Sequence, residues 1–217
     1  MIVHFEENKE GKDYIVGDIH GCFYLLKEKL IEVGFNEKTD RLFSVGDLVD
    51  RGPDSISCYK WLDKPWFHAV RGNHEQIPIE YIHGTWPADN YISNGGSWFL
   101  GLTEDEQLAF VDMFESLPIV ITVDTKFGKV GIIHADCPVH DWNELNDSLH
   151  NNKYAIEYCI WGRVRINDND DTPIDNIWRV YHGHSIVEDR EQYGNVHFID
   201  TGAFHTKKLT LVEITDD

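Results

Sequence analysis

Three short segments in the first 75 residues begin with glycine. Each of them follows an apolar stretch and precedes a helical pattern. The segments are GDIHG at 17–21, GDLVDRG at 46–52 and GNHE at 72–75. The apolar stretches, which we predict to be strands, are residues 13–16, 41–45 and 66–70. In open α/β sheets, ligands gather outside the carboxyl ends of the strands. The pattern therefore predicts an α/β fold with all three segments at one edge of a sheet.

Helical patterns lie between and after these strands. Apolar residues recur at helical spacing over 23–33, and Gly34 follows, as glycine often does at the end of a helix. A second helix is predicted over about 54–62. Thr103 and Glu106 have the spacing of a capping box, which predicts that a third helix begins there. The first half of the chain thus alternates strands and helices.

The second half of the chain is richer in predicted strands. Residues 119–124 and 129–133 have the pattern of a hairpin that turns near Gly128. Further strands are predicted at 178–181, 196–200 and 209–214, and a polar loop at 167–175. No internal repeat or interdomain linker is visible. We therefore expect one domain, residues 1–217, built as a two-sheet β-sandwich flanked by helices.

Composition narrows the functional classes. Lysine and arginine number 19 and aspartate and glutamate 38, so the net charge is 19 − 38 = −19. Such a balance argues against nucleic-acid binding, which needs a basic surface. No apolar run is long enough to cross a bilayer and no signal-peptide pattern is present, so we expect a cytoplasmic monomer without membrane contact. The four cysteines lack a Cys-x-x-Cys spacing and are expected to be reduced and buried.

The polar residues of the segments, with two later histidines, are the ligand types of a hard dinuclear metal site. Asp18 and His20 are two residues apart, so both side chains point to the same side of an extended segment. Asp47 has two carboxylate oxygens and is the natural bridge between two cations. The predicted ligand set is Asp18, His20, Asp47, Asn73, His134 and His184. Two cations held in this way would activate a water and stabilise the charge of a phosphoryl group.

A second group of residues supplies proton transfer and anion binding. His74 is placed to protonate a leaving oxygen, and Asp50 is placed to orient it. Arg51 and Arg163 are predicted to clamp the phosphate, with Arg71 as a third candidate. Each residue alone also has an ordinary interpretation. A Gly-Asp pair is often only a turn, and an arginine stem often only covers apolar surface.

These motifs resemble those of the calcineurin-like metallophosphoesterases, most closely the small serine/threonine protein phosphatases of phage λ and enteric bacteria. The resemblance continues in NGGSWF at 94–99, HAD at 134–136, IWGR at 160–163 and IDTGA at 199–203. It implies a first metal bound by Asp18, His20 and Asp47. It implies a second metal bound by Asp47, Asn73, His134 and His184. Manganese is the metal usually implied.

The resemblance also implies an activity. It indicates a protein phosphatase that acts on phosphoserine and phosphothreonine, with phosphotyrosine as a further candidate substrate, by direct attack of a water that bridges the two metals. His74 would be the general acid, oriented by Asp50, and Arg51 and Arg163 would bind the phosphate. Where relatives have Gly-His-Thr-Pro, this chain has GHSI at 183–186. His184 is assigned because it follows the glycine, with His182 as the alternative.

Two other functions fit parts of the pattern. A symmetrical diadenosine tetraphosphatase shares the early motifs but usually has aspartate where this chain has Glu75. A scaffold that binds a partner without metal belongs to a different class, and such proteins generally lose ligand residues. Because the full ligand set is present here, we interpret the sequence as that of a phosphatase.

Overall fold

The computed structural model describes residues 1–152 and 154–215 and contains two β-sheets. The strands in this part of the chain are β1 (Ile2–Phe5), β2 (Asp13–Val16), β3 (Arg41–Ser44), β4 (Phe67–Ala69), β5 (Val120–Thr125), β6 (Gly128–Ile133), β7 (Arg179–His182), β8 (Glu191–Tyr193), β9 (Val196–Phe198) and β10 (Leu211–Glu213). The larger sheet has the order β1-β5-β6-β7-β9-β8, and the smaller sheet the order β10-β2-β3-β4.

Helices cover the outer faces of both sheets. Their bounds are α1 (Phe23–Glu32), α2 (Cys58–Leu62), α3 (Asn73–Ile82), α4 (Ala88–Ser93), α5 (Ser97–Leu100), α6 (Glu104–Ser116), α7 (Leu145–Asn151), α8 (Ala155–Trp161), α9 (Val164–Asp168) and α10 (Ala203–Thr206), with 3₁₀ turns at Ser55–Ser57 and Trp142–Glu144. Helices α1, α3 and α6 share a core with the smaller sheet, and α7 and α8 share one with the larger sheet.

The inner faces of the two sheets form a third core. Ile15 and Phe43 of the smaller sheet pack with Ile121, Val123 and other residues of the larger sheet. Side chains along β5 alternate between two cores. Ile121 and Val123 belong to the core between the sheets, and Val120 belongs to the core under α7 and α8. This alternation is what a strand with both faces covered requires. The predicted α/β fold with two sheets and flanking helices is therefore confirmed.

The register of the smaller sheet aligns the ends of its strands. Strands β2, β3 and β4 are parallel, with Val16 opposite Ser44 and Ser44 opposite Ala69. Their carboxyl ends therefore lie at one edge, as the sequence predicts. The segments GDIHG, GDLVDRG and GNHE all begin there.

Several predicted elements are confirmed with small changes of boundary. The hairpin of β5 and β6 is present, and Thr103 and Glu106 form the capping box of α6. The second predicted helix begins as a 3₁₀ turn, and the predicted loop at 167–175 overlaps the end of α9. Strands β1 and β8 were not predicted. No helix in the described residues is long and apolar enough to span a membrane.

Candidate metal centre

The predicted ligand residues follow strands whose carboxyl ends meet. The residues and their preceding strands are Asp18 and His20 (β2), Asp47 (β3), Asn73 (β4), His134 (β6) and His184 (β7). Parallel pairing aligns β2, β3 and β4, and it also aligns β6 with β7. All six side chains are buried. Side chains from both sheets therefore converge at one buried position.

The backbone is strained at this position. Five of the eight non-glycine residues with positive φ in the described chain lie here: His20, Asp47, Asp50, Arg51 and His184. Left-handed backbone is uncommon for such residues and collects at functional sites, where the surrounding structure enforces it. Here it turns the chain sharply at the strand ends, so that polar side chains face inward.

Asp47 lies between two sets of imidazoles. Its Oδ2 is 3.5 Å from Nε2 of His20 and 3.9 Å from Nε2 of His74. Its Oδ1 is 3.3 Å from Nε2 of His134. Two groups of ligating atoms could each hold a metal ion, His20–Asp47–His74 and Asp47–His134–His184, and Asp47 belongs to both. This arrangement is consistent with a dinuclear metal centre.

Asn73 lies between the two histidines of the second group. Its side-chain oxygen is 2.9 Å from Nε2 of His134 and 2.8 Å from Nδ1 of His184. An amide oxygen and two imidazole nitrogens thus converge on one point. Oxygen and imidazole donors together suit Mn²⁺, Zn²⁺ and similar divalent ions.

Backbone carbonyls fix the orientation of the ligating rings. Nδ1 of His20 lies 2.8 Å from the carbonyl of Val49, and Nδ1 of His134 lies 2.7 Å from the carbonyl of Val45. Because a carbonyl only accepts, each Nδ1 carries the proton and each Nε2 presents a lone pair to the centre. Burial lowers the pKa of His20 to about 3 and also lowers that of His134, so both rings are neutral, as candidate metal ligands must be.

The remaining groups also fit a cation. Burial, followed by repulsion from Asp200 and Asp47, raises the pKa of Asp18 well above its ordinary value. Nε2 of His74, which faces Asp47, is buried without a hydrogen-bond partner among the described residues. Buried like charges and buried lone pairs without partners are both unfavourable unless a cation neutralises them. The donor set therefore matches metal ions.

Asp18 is placed differently from the other predicted ligands. Its carboxylate oxygens lie 3.1 and 3.2 Å from the backbone N–H of His184, and the neighbouring carboxylate of Asp200 repels its charge. It belongs to neither group of ligating atoms. Asp18 thus lies beside the centre, in contact with the chain that carries His184.

His74 and Asp50 form a buried pair beside the first group. Nδ1 of His74 is 2.7 Å from Oδ2 of Asp50, and the indole N–H of Trp98 donates to Oδ1 at 2.6 Å. Burial lowers the pKa of His74, but the carboxylates of Asp47 and Asp50 outweigh it and raise the pKa above its ordinary value. The geometry allows two roles for Nε2 of His74, metal ligand or proton donor.

Two arginines border an opening above the centre. We call this opening the central cavity; its volume is about 240 Å³ and it is lined by Asp47, Arg51, Asn73, Asn94, Trp161, Arg163 and His184. Arg163 donates to the hydroxyl of Ser185 at 2.8 Å and to the carbonyl of His184 at 3.1 Å. Nη1 of the Arg51 guanidinium lies 3.2 Å from Nε2 of His20. The arrangement suits an anion that enters from outside.

A family model of the calcineurin-like phosphoesterases matches residues 14–204 of this chain. The chain belongs to the calcineurin-like phosphoesterases. The central cavity and the shared Asp47 are therefore the candidate phosphoesterase centre.

Curated relatives and solved structures resemble this phosphoesterase over different lengths. Serine/threonine-protein phosphatase 1 of Salmonella typhimurium is 36% identical over 208 residues, 93% of this chain and 91% of the relative. A symmetrical bis(5'-nucleosyl)-tetraphosphatase of a Shewanella species is 41% identical over 83 residues, 37% of this chain and 30% of the relative. The crystal structure of a putative diadenosine tetraphosphatase has a TM-score of 0.66 at 21% identity and covers 98% of this chain and 93% of its own. That structure supports the fold alone.

Arg71 lies outside the central cavity of this phosphoesterase. Its guanidinium donates to the side-chain oxygen of Gln76 at 3.3 Å and to the backbone carbonyls of Glu115 and Leu117. The structure thus brings Arg51 and Arg163 to the cavity but uses Arg71 to join α3 to the end of α6.

His182 and His184, the two candidate histidines at this point of the chain, have different surroundings. His184 contacts Asn73, whereas His182 directs Nδ1 to the carbonyl of Ile133 at 2.9 Å and packs on the ring of Phe198. His182 is absent from both groups of ligating atoms. The geometry therefore supports the choice of His184.

The sequence interpretation gave no role to several residues that shape the centre. The carboxylate of Glu75 accepts from the backbone N–H groups of Asp47, Leu48 and Gly72 at 2.8–2.9 Å. Trp98 holds Asp50, and Asp200 contacts Asp18. Glu75, Trp98 and Asp200 all lie in motifs that carry the family resemblance, which was the signal available to find them.

Proposed function

We propose that this phosphoesterase is a metal-dependent phosphoprotein phosphatase that hydrolyses phosphate monoesters of serine and threonine, with tyrosine as a further candidate, and that residues 1–217 act as one domain. The observation that carries the proposal is the position of Asp47 between two groups of imidazoles, beside the His74–Asp50 pair and below two arginines. The relative named a serine/threonine-protein phosphatase matches 93% of the chain, which supports a protein substrate.

The proposed ligands are the six residues predicted from the sequence, and the proposed metals are two divalent ions, manganese first among them. The chemistry that such ions supply when bound is an activated water and charge neutralisation at phosphoryl oxygens. Asp47 would bridge the ions with its two oxygens. His20 and His134 would bind through Nε2, because their Nδ1 atoms are held by carbonyls. Asp18 would reach the first ion from its position beside the chain of His184.

The remaining residues would bind the ester and move a proton. The guanidinium groups of Arg51 and Arg163 would bind phosphoryl oxygens at the mouth of the central cavity. Arg51 would leave Nε2 of His20 when it does so, since that lone pair faces the metal position. As the bond between phosphorus and the water oxygen forms and the ester bond breaks, Nε2–H of His74 would protonate the leaving oxygen. Asp50 would keep the imidazolium oriented.

Substitution of His74 distinguishes its two possible roles. We expect His74→Asn to lower kcat for a phosphoserine peptide by about 10²-fold, because the general acid is lost, and to lower kcat for p-nitrophenyl phosphate less, because p-nitrophenolate leaves without a proton. Two manganese ions should still bind per chain, measured by metal analysis after gel filtration. Binding of one ion only would contradict the general-acid role and make His74 a ligand. His134→Asn is the control, and we expect it to weaken metal binding.

A symmetrical tetraphosphatase is the second candidate, favoured by the local match of 83 residues. We expect kcat/KM for a phosphoserine peptide to exceed that for diadenosine tetraphosphate, because the match to the protein phosphatase extends over the whole site. A higher value for diadenosine tetraphosphate would replace the proposal. Absence of bound metal and of all hydrolysis, in protein prepared with Mn²⁺, would favour a binding scaffold.

A further inference from the structure

A second cleft opens beside the central cavity. We call it the side cleft; its volume is about 600 Å³ and it is lined by Gln76, Glu80, Trp86, Ile156, Glu157, Ile160 and Trp161. Trp161 lines both openings, and its ring also lies edge-on to the imidazole of His184 at 6.1 Å. The side cleft therefore adjoins the place where the phosphate would bind, with Trp161 as their shared wall.

The two helices that form the side cleft lead away from the proposed metal site. Helix α3 begins at Asn73, and Glu80 lies seven residues later, which is about 10 Å along the axis. Helix α8 ends at Trp161, and Glu157 lies one turn before that end. About 10 Å is the span of roughly three residues in an extended chain. A peptide whose phosphoresidue occupies the central cavity would thus place a residue two or three positions away in the side cleft.

The side cleft combines aromatic and acidic surfaces. The rings of Trp86 and Trp161 stack at 5.7 Å with an angle of 14° between their planes. Glu157 is exposed, and neither Glu80 nor Glu157 forms an ion pair within the described residues. Among the described residues that line the cleft there is no lysine or arginine. Tryptophan rings and unpaired carboxylates both attract a cationic side chain.

We propose that the side cleft binds an arginine or lysine of the substrate, two or three residues from the phosphorylated residue. The proposal rests on the phosphoprotein phosphatase function proposed above. The guanidinium or ammonium group would lie on the tryptophan pair, between the carboxylates of Glu80 and Glu157. The enzyme would thereby select phosphoproteins made by kinases that prefer basic sequences, despite the small size of the central cavity.

The test compares phosphoserine peptides that differ at one position. Each peptide carries arginine, alanine or glutamate at two or three residues before or after the phosphoserine. We expect arginine to raise kcat/KM about tenfold over alanine at one of these positions, mainly through KM, and glutamate to lower it. In 0.5 M salt the preference should shrink, because screening weakens exposed ion pairs.

Two variants assign the preference to the side cleft. The double variant Glu80→Gln/Glu157→Gln should bring the arginine-to-alanine ratio close to one. The matched control Glu28→Gln changes an exposed glutamate of α1 outside both openings and should keep the ratio. Turnover of p-nitrophenyl phosphate, which is too small to reach the side cleft, reports an intact centre in each variant.

The outcomes separate the two proposals. Equal kcat/KM for arginine and alanine peptides, or a preference that survives the double variant, would overturn the side-cleft proposal alone. A kcat/KM for the glutamate peptides equal to or above that for the arginine peptides would do the same. Failure to hydrolyse any phosphopeptide, together with normal turnover of p-nitrophenyl phosphate, would overturn the protein-phosphatase proposal as well.

Discussion

Asp50 orients His74 while it is itself held by several donors. Its Oδ2 lies 2.7 Å from Nδ1 of His74, and its Oδ1 accepts from Trp98 at 2.6 Å. Its backbone N–H donates to the hydroxyl of Ser55 at 2.8 Å. Two ring N–H donors therefore require two acceptor oxygens on one side chain. A carboxylate meets this need, and an amide does not.

We expect Asp50→Asn to lower kcat by about 10²-fold, because the charge that stabilises the imidazolium is lost and one donor is left without an acceptor. Steady-state kinetics with a phosphoserine peptide and metal analysis test this, and metal content should not change. Trp98→Phe is the control, since it removes one donor but leaves the carboxylate, and its effect should stay below about tenfold. Wild-type kcat in Asp50→Asn would contradict the proposed dyad.

Gly183 allows the chain of His184 to pass close to Asp18. A Cβ atom at Gly183 would lie 1.9 Å from Oδ1 of Asp18 and 2.5 Å from a methyl of Val45. We expect Gly183→Ala to displace Asp18 and weaken manganese binding at least tenfold, measured by titration calorimetry. It should also lower the free energy of unfolding by about 1–3 kcal/mol.

The matched control for this prediction is Gly101→Ala. A Cβ atom at Gly101 meets nothing closer than 3.5 Å, so metal affinity and stability should change little. Manganese affinity in Gly183→Ala equal to that of the control would refute the role given to this contact.

At the scale of elements, the first turn of α3 holds the loop that follows β3. Glu75 is the third residue of α3, and its Oε2 accepts from the N–H groups of Asp47 and Gly72 while Oε1 accepts from that of Leu48. One buried carboxylate thus joins the ends of β3 and β4. Asp47, the proposed bridging ligand, is positioned by these hydrogen bonds as well as by its own strand.

Glu75→Gln should lower the free energy of unfolding by about 1–3 kcal/mol, because an amide turns one N–H group toward a backbone donor and leaves it unsatisfied. Chemical denaturation measures the change, and kcat should fall as well. Glu106→Gln is the matched control: it occupies the same position of the capping box of α6, where glutamine is also accepted. Equal stability losses in the two variants would contradict the special role of Glu75.

Buried apolar strands were predictable from the sequence, whereas β1 and β8, none of whose residues is fully buried, were not. Strands β2, β3 and β4 are apolar runs next to their own motifs, and the hairpin of β5 and β6 pairs residues close in sequence. Strand β1 instead pairs in parallel with β5, Ile2 opposite Val120, and half of its residues are exposed. Neither alternation nor a turn signal marks such an edge strand.

The residues of the candidate site also differ in how far the sequence predicts their positions. Residues such as Asp18, Asp47 and Asn73 stand in motifs whose spacing follows the strand–helix alternation, so the sequence predicts their convergence. Asp200 reaches Asp18 only through the packing of chain ends that are far apart in sequence. Arg71 carries the same charge as Arg51, but its hydrogen bonds to the end of α6 take it away from the cavity. No local pattern encodes those contacts.

At the scale of the whole molecule, buried neutral histidines link stability to pH. His197 of β9 is 1% exposed, stacks on Tyr181 of β7 and faces Arg190 through Nδ1 at 3.0 Å. Burial, followed by the neighbouring positive charges of Arg190 and Arg179, lowers the pKa of His197 to about 3. The unfolded chain has a histidine pKa of about 6.5. Between these values the unfolded state binds a proton that the folded state does not.

The contribution of His197 to the free energy of unfolding should therefore be fully present above about pH 6.5 and should be lost as the pH drops toward 3. Between pH 6.5 and the pI of about 4.9 the net charge of −19 becomes less negative, so weaker self-repulsion opposes the loss there rather than causing it. At pH 5, His197 alone contributes a loss of about 2 kcal/mol.

We expect His197→Gln to reduce the stability difference between pH 7.5 and pH 5 by about that amount, measured by urea unfolding with a chelator present. His205→Gln, at an exposed position, should leave the difference unchanged. If both variants kept the wild-type difference, acid sensitivity would have to arise from the other buried histidines, above all those that converge on Asp47.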